Sequence, residues 1–339
     1  MGDISTPTRL TWADRAKGLC MMAILLFHTE KYYAGEEIIP YAFYVNNVLI
    51  TFFFISGYLF NNPEKAFSTR HKLLSVLRGI ILPYFIFTAV IALPKALVHD
   101  DTTLMDTYTD VLTGHASWFV AALAVAEVIF TLLVNKWGSR LTILGIFCTL
   151  PYLIMAIAYH LLDNDRWSAT NLWCWHNALL MMPFIFIGFV FRQHKDWMHL
   201  IQRPSTILLL VVAEAAIKYI VWKQSLLLTC QPVHVNSFAI FLADGIIGSL
   251  LIIAICQHLP RLRWMEWTGK HSLIYYFICG GVPLLVTRCL AACGYPYHSN
   301  YIMVIVAFML VYAISTVLSF FILLIFQNKK LKTQKNKGC

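Results

Sequence analysis

Charged residues are scarce in this chain. Aspartate, glutamate, lysine and arginine make up only 13% of its 339 residues, whereas a soluble globular domain carries about 25%. Hydrophobic residues make up 59%, and apolar runs long enough to cross a bilayer recur along the whole chain. No polar stretch between them is long enough for a separate soluble domain. The composition therefore predicts an all-α integral membrane protein, with one membrane-embedded domain over residues 1–339.

Motifs that mark common metal and nucleotide sites are also missing. The nine cysteines are scattered, without a CxxC pair or a Cys/His ligand spacing, so no metal site is predicted. No P-loop, GxGxxG, HExxH or GxSxG pattern occurs in the right context. Residues 1–17 are too polar for the apolar core of a signal peptide, so we expect none that is cleaved.

Ten hydrophobic segments of membrane-spanning length follow one another. They lie at 18–34, 41–60, 73–97, 116–134, 141–160, 173–191, 205–223, 236–258, 270–290 and 300–326. If the N-terminus is cytoplasmic, the cytoplasmic segments hold most of the 26 basic residues. The positive-inside rule thus predicts a bundle of about ten transmembrane helices with both termini cytoplasmic. The net charge of +9 is then explained by basic residues that set the membrane topology, and no nucleic-acid partner is predicted. Residues 328–339 are predicted to form a basic cytoplasmic tail.

Three ionisable residues share one face of the first hydrophobic segment. His28 follows Lys17 by eleven residues, which returns to nearly the same helix face after a rise of ~16 Å, and Asp14 lies one turn earlier. Ionisable groups at membrane depth usually face a functional cavity because their burial is costly. A neutral imidazole takes a proton from a hydroxyl and returns it to a leaving thiolate, so His28 is the candidate general base. The alternatives are a packing histidine and, for Lys17 and Asp14, a topology anchor.

A basic group follows the second hydrophobic segment, at Arg70, His71, Lys72 and Arg78. Cationic side chains of this kind hold the phosphates of a cytoplasmic cofactor. They also set membrane topology, and the sequence leaves the two roles equally open.

Acidic residues occur inside three later segments. Glu127 lies in the fourth and Asp244 in the eighth, while Glu214 and Lys218 lie four apart in the seventh. Residues four apart on a helix are neighbours, so Glu214 and Lys218 are expected to pair. Each acid could line a cavity or satisfy a contact between helices.

These residues resemble those of the acyltransferase-3 family over nearly the whole chain. The family opens with Asp-x-x-Lys/Arg-Gly and a histidine eleven residues after the basic position, as at Asp14, Lys17, Gly18 and His28. Its second helix carries Phe-Phe-Phe-x-Ser-Gly-Tyr-Leu, as in residues 52–59. Weaker elements follow at Arg78, Pro83 and Tyr84, at Ser117, Trp118 and Phe119, and at Gly269, Lys270, Ser272, Leu273 and Tyr276.

The resemblance implies an O-acyltransferase that moves an acyl group, usually acetyl, from cytoplasmic acetyl-CoA to a hydroxyl of a sugar or lipid-linked glycan precursor. It implies a polysaccharide-modifying enzyme of the cell envelope, in the inner (cytoplasmic) membrane of a bacterium. His28, Lys17 and Asp14 would be its catalytic residues. The residues expected to bind the acyl-CoA are Arg70, Lys72, Arg78, Ser56, Tyr84 and Trp118. From the residues alone, packing is the expected role of Ser56.

Two departures and two rival functions bear on this interpretation. Lys17 stands where many relatives have arginine, and Cys279 stands where a late histidine is common.

A proton-coupled secondary transporter would also use His28, Glu127 and Asp244, but the inverted repeats of such proteins are not seen in the sequence. A flippase or scaffold for an envelope molecule would leave the aligned Asp14, Lys17 and His28 unexplained.

Overall fold

The computed structural model of the chain describes residues 10–60, 66–98, 103–161 and 171–335. Most of this backbone is helical, since a chain in a bilayer must satisfy its N–H and C=O groups internally. The helices are α1 (Thr11–Thr29), α2 (Tyr41–Tyr58), α3 (Thr69–Val76), α4 (Leu82–Val98), α5 (Leu104–Thr113), α6 (Trp118–Trp137), α7 (Leu141–Leu161), α8 (Trp175–Gln193), α9 (Lys195–Ile201), α10 (Pro204–Lys223), α11 (Phe238–His258), α12 (Arg263–Lys270), α13 (Ser272–Ile278), α14 (Gly281–Ala292) and α15 (Tyr301–Lys335).

Short irregular segments connect several of these helices. Two π-helical segments occur, Glu30–Ala34 after α1 and Leu77–Ile81 between α3 and α4. A two-stranded antiparallel ribbon lies between α10 and α11, with β1 (Leu228–Thr229) paired to β2 (His234–Val235). The predicted all-α architecture is therefore confirmed, with this ribbon as a small addition.

The helices group into two compact units. The terminal unit combines residues 1–40 with 259–339 and contains α1 and α12 to α15, and the central unit is residues 41–258 and contains α2 to α11. The single domain over residues 1–339 stays a prediction.

Among the described residues, seven helical segments are long and apolar enough to cross a membrane alone, or eight if the bent pair α13–α14 is counted as one span. The predicted spans at 18–34 and 41–60 correspond to α1 and α2, which have 19 and 18 residues and are not among these segments. Both helices carry polar residues, such as Lys17 in α1 and Asn46 in α2. The chain is a multi-pass integral membrane protein, and its helices match the ten predicted segments in order.

Three details of the predicted spans differ from the structure. The first helix begins at Thr11 rather than 18, so Asp14 and Lys17 belong to it. The predicted span 270–290 is two helices bent by 50° at the break that follows Ile278. The last helix continues to Lys335, into the predicted basic tail, and residues 336–339 lie outside the described part. Helices α5, α9 and α12 were not expected, because they are short and lie between the spans.

Glycines allow very close helix contacts in the central unit. A Cβ at Gly57 on α2 would lie 1.9 Å from the carbonyl oxygen of Ile185 on α8, and one at Gly188 on α8 would lie 2.0 Å from that of Phe54 on α2. These two reciprocal contacts place the α2 and α8 backbones against each other. Membrane helices commonly pack through small residues in this way. Gly57, the neighbour of Ser56, is therefore a packing position.

In the terminal unit, glycines likewise allow a close contact between α1 and α12. A Cβ at Gly18 would lie 2.1 Å from the carbonyl oxygen of Met265, and one at Gly269 would lie 1.7 Å from that of Asp14. The start of α1, which carries Asp14 and Lys17, is therefore held directly against α12.

We expect Gly57→Ala to destabilise the protein, because its methyl group has no room beside the α8 backbone. Overpacking of this kind costs about 1–3 kcal/mol and sometimes more. Thermal unfolding of the detergent-solubilised protein, followed by size exclusion, measures the change. Gly79→Ala is the matched control, since nothing lies within 4 Å of a Cβ there. Equal melting temperatures for the two variants would contradict the close packing.

Candidate functional site

The first turns of α1 carry a pair of opposite charges in the terminal unit. Lys17 Nζ lies 3.1 Å from Asp14 Oδ1, and the two side chains are 21% and 9% exposed. The neighbouring Arg15 Nη1 lies 3.2 Å from Glu266 Oε1 on α12. Together with the glycine contact at Gly269, these ion pairs fix the position of the lysine. The expected proximity of Asp14 and Lys17 is therefore observed.

His28 lies in the last turn of the same helix, which is continuous from Thr11 to Thr29. Because α1 has no break between Lys17 and His28, the rise of ~16 Å between them follows from helix geometry. The imidazole is half-buried and its neighbours are aromatic. The ring of Tyr32 is stacked at 6.3 Å between centroids with a 20° interplanar angle, and the ring of Phe27 lies edge-on at 5.6 Å.

Tyr32 belongs to the π-helical segment Glu30–Ala34, and such segments often occur at functional sites. A Cβ at Gly280 would lie 3.9 Å from the Tyr32 hydroxyl oxygen, and Cys279 is near enough to interact with that hydroxyl electrostatically. Tyr32 thus connects His28 to the break between α13 and α14. Cys279, at the position where relatives often have histidine, is buried beside it.

Glu30 lies two residues after His28, at the start of the π-helical segment. In the structure its Oε2 accepts a hydrogen bond from the backbone N–H of Ile39 at 3.3 Å. The carboxylate therefore fastens the segment that follows α1.

The central unit contains a second buried pair of charges. Lys72 Nζ on α3 lies 2.6 Å from Glu127 Oε2 on α6, and the hydroxyl of Ser56 on α2 donates to Glu127 Oε1. Lys72 Nζ also lies 4.3 Å from the centroid of the Phe60 ring. The Glu127 side chain is only 6% exposed. Two of the predicted CoA-binding residues, Lys72 and Ser56, thus meet on one membrane-depth carboxylate.

The remaining basic residues of this region are exposed. Arg70 lies in α3 and Arg78 in the π-helical segment Leu77–Ile81, and both side chains face outward. Within the described residues neither arginine forms an ion pair. Lys65, which belongs to the same predicted loop, lies outside those residues. Arg70 and Arg78 are therefore the groups here with guanidinium donors available to an anion.

Tyr84 is fully buried, and its hydroxyl donates to the backbone oxygen of Val111 on α5 at 3.0 Å. Helix α5 begins with a reciprocal cap, in which the Asp106 carboxylate accepts from both the N–H and the hydroxyl of Thr103. These hydrogen bonds lower the pKa of Asp106. Trp118 begins α6, where it is half-buried and contacts Phe119 edge-on at 5.9 Å. Tyr84 thus joins two helices, and its binding role stays a prediction.

The comparison with known proteins agrees with the motifs. The acyltransferase domain of the acyltransferase-3 family matches residues 10–324. The chain belongs to this family. No curated protein and no solved structure matches it. The acyltransferase match spans both compact units and includes all the candidate residues described above.

Membership of the acyltransferase family gives the chemistry a general form. The protein is a membrane acyltransferase, which requires an acyl donor and an acceptor. Such a reaction needs a group that removes a proton from the acceptor and groups that hold the donor. His28 is the residue predicted for the first task, and Arg70 and Arg78 are those predicted for the second; these roles stay predictions.

Sequence reasoning missed two features of these regions. Tyr32 stacks on His28 from four residues away, a spacing that places two side chains on one helix face, and this signal was available. Lys72 and Ser56 were recognised, but not as partners of Glu127. No local pattern reveals that contact, because the three residues lie on different helices.

We expect Glu127→Leu to destabilise the protein by leaving the Lys72 ammonium without its counter-charge. Removing one partner of a fully buried pair costs about 3–5 kcal/mol, and the cost here is smaller because Lys72 keeps 17% exposure. The double variant Lys72→Met/Glu127→Leu should recover much of the loss. Melting temperatures of the three proteins measure this, and a double variant less stable than Glu127→Leu would contradict the pairing.

Proposed function

We propose that this acyltransferase moves an acetyl group from acetyl-CoA to a hydroxyl of a cell-envelope sugar or lipid-linked glycan precursor. One observation carries the proposal. In a chain of this family, a half-buried histidine lies near the end of a continuous helix of 19 residues whose other end carries a fixed lysine–aspartate pair. A sugar hydroxyl needs a base to become a nucleophile, and an imidazole is suited to that task near neutral pH.

In the proposed reaction the neutral His28 imidazole accepts the proton of the acceptor hydroxyl. The acceptor oxygen attacks the thioester carbonyl, and the carbon–sulfur bond breaks as the oxygen–carbon bond forms. The imidazolium then returns its proton to the departing thiolate. The products are an O-acetyl ester and free CoA, and the histidine is regenerated.

The aromatic surroundings of His28 support this role. Stacking on Tyr32 limits the orientations of the imidazole, and orientation is a large part of what an enzyme supplies. Within the described residues no carboxylate forms an ion pair with His28. The ring is therefore not held as a permanent imidazolium, which could not act as a base.

Lys17 and Asp14 would act at a distance from His28. A separation of ~16 Å along the helix excludes direct contact. The ion pair with Asp14 holds the Lys17 ammonium in place, and its 21% exposure leaves it accessible to an anionic part of a substrate. A CoA donor has phosphates at one end and its thioester at the other, and the lysine is suited to the phosphate end.

Arg70 and Arg78 are the proposed phosphate-binding residues of the central unit. Arginine binds phosphate through its planar set of donors, and both side chains are exposed. Lys72 serves instead to neutralise Glu127. Under the positive-inside rule, loops rich in basic residues face the cytoplasm, where acetyl-CoA is made, and we propose that side for both arginines and both chain termini. The proposed location is a bacterial inner membrane.

We expect His28→Gln to abolish acetyl transfer while the protein remains folded. Loss of a general base lowers the rate by ~10²–10⁴, and glutamine keeps a hydrogen-bonding side chain without the basic nitrogen. Release of free thiol from acetyl-CoA by the purified protein, supplied with envelope glycan, measures turnover. His199→Ala, which removes an exposed histidine from α9, is the control. Turnover of His28→Gln within a few-fold of the control would overturn the assignment.

We expect the double variant Arg70→Gln/Arg78→Gln to bind CoA more weakly than the unaltered protein. The remaining affinity should also depend less on salt, since screening acts on the contacts that have been removed. Calorimetric titration with CoA at two ionic strengths measures both effects. Arg203→Gln, an exposed arginine before α10, controls for net charge. If it lowers the affinity as much as the double variant does, Arg70 and Arg78 are not specific contacts.

A further inference from the structure

A charged cluster lies inside the central unit, apart from every residue assigned to acyl transfer. Glu214 and Lys218 come from α10, Asp244 from α11 and Asn47 from α2. Both α10 and α11 are long and apolar enough to span a membrane, and Glu214 lies at the middle of α10. The cluster is therefore at membrane depth, where each charge is expensive.

Lys218 uses all of its hydrogen-bonding capacity within this cluster. Its Nζ lies 2.6 Å from Asp244 Oδ1 and 3.3 Å from Glu214 Oε1. It also donates to the backbone oxygen of Ala42 at 2.9 Å and to Asn47 Oδ1 at 3.2 Å. An ammonium group has three N–H donors, so these four acceptors leave none for other oxygens. The predicted Glu214–Lys218 pair is confirmed, and Asp244 is an additional partner.

The second oxygen of each carboxyl group has no donor. Asn47 donates its amide to Glu214 Oε1, but Glu214 Oε2 and Asp244 Oδ2 are buried without a hydrogen-bond partner. Asp244 as a whole is 0% exposed. A buried carboxylate oxygen without a donor carries its full desolvation cost.

The charges of the cluster are unequal as well. Two carboxylates face one ammonium, whereas the Lys72–Glu127 pair in the same unit has one of each. The Cys230 thiol beside β1 lies near Asp244 and brings no positive charge to the cluster. Its thiol donates to Asn46 Oδ1 at 3.1 Å. The cluster with both carboxyls ionised is thus one negative charge in excess.

We propose that Glu214, Lys218 and Asp244 form a proton-binding site, in which the two carboxyl groups share one proton while Lys218 stays charged. A proton on either carboxyl cancels the excess charge and turns an acceptor into a donor. Both unpaired oxygens are closed to solvent, so the ligand that fits there is a proton, the smallest cation. The side chains of Glu214 and Lys218 are only 13% and 12% exposed, so the site is enclosed by the helices around it.

This inference rests on the geometry of the central unit and not on the proposed acetyl transfer. The proton site ties three helices together, since Asn47, Lys218 and Asp244 each come from a different one. Loss of the proton would place uncompensated charge between α10 and α11. The packing of these helices is therefore coupled to protonation.

Infrared spectroscopy of the full-length protein in lipid tests the site directly, because a protonated carboxyl has a carbonyl band that a carboxylate lacks. The protein at neutral pH should lose one such band on Asp244→Asn or Glu214→Gln. Glu127→Gln is the matched control, since Glu127 is paired one-to-one with Lys72 and should contribute no band. Unchanged bands in both cluster variants would overturn the proposal.

Stability gives an independent test of the same site. The folded protein holds a proton that the unfolded chain releases at neutral pH, so its stability should fall as the pH rises. One proton corresponds to about a tenfold change in the folding equilibrium per pH unit. Asp244→Asn and Glu214→Gln should each remove this slope and still fold, because each leaves one carboxylate for Lys218.

The double variant Asp244→Asn/Glu214→Gln should unfold at a lower temperature than either single variant, since it leaves Lys218 without a counter-charge. Melting temperatures measured with sodium and with potassium separate a proton from a metal cation. Stability that follows the identity or concentration of the cation rather than the pH would overturn the proposal.

Discussion

A charge inside a bilayer must be neutralised by a group fixed in place, because water and mobile ions do not reach it. This constraint organises the central unit, where Lys72 on α3 pairs with Glu127 on α6. Lys218 draws α10 and α11 together through Asp244. Each pair stabilises the fold mainly by preventing the larger cost of an unpaired charge, so the helices carrying the partners have little freedom to separate.

Glycine contacts work with these pairs to set positions near the candidate residues. Gly269 brings α12 against the backbone of Asp14, and Gly57 brings α2 against α8 one residue after Ser56. His28 is different, since the rings of Phe27 and Tyr32 lie against it. Among the described residues it forms no ion pair. That contrast is the physical basis for assigning it the chemistry.

Hydrophobic periodicity and charge distribution were enough to predict the ten segments, because bilayer thickness alone determines their length. The pairing of Glu214 with Lys218 was also predictable, since it is local to one helix. Contacts between helices could not be predicted from the sequence. The partners of Glu127 and the second partner of Lys218 therefore appear only in the structure. The break after Ile278 was missed because the surrounding residues remain apolar, and hydropathy does not report backbone continuity.

The central claim is that the protein acetylates a hydroxyl of an envelope glycan, with His28 as the base. Mass spectrometry of envelope glycans tests it most directly, in cells that make the protein, cells that lack it and cells that make only His28→Gln. The account predicts a glycan heavier by one acetyl group in the first cells and absent from the other two, with equal amounts of protein in the membrane. Identical glycan masses in all three would contradict it.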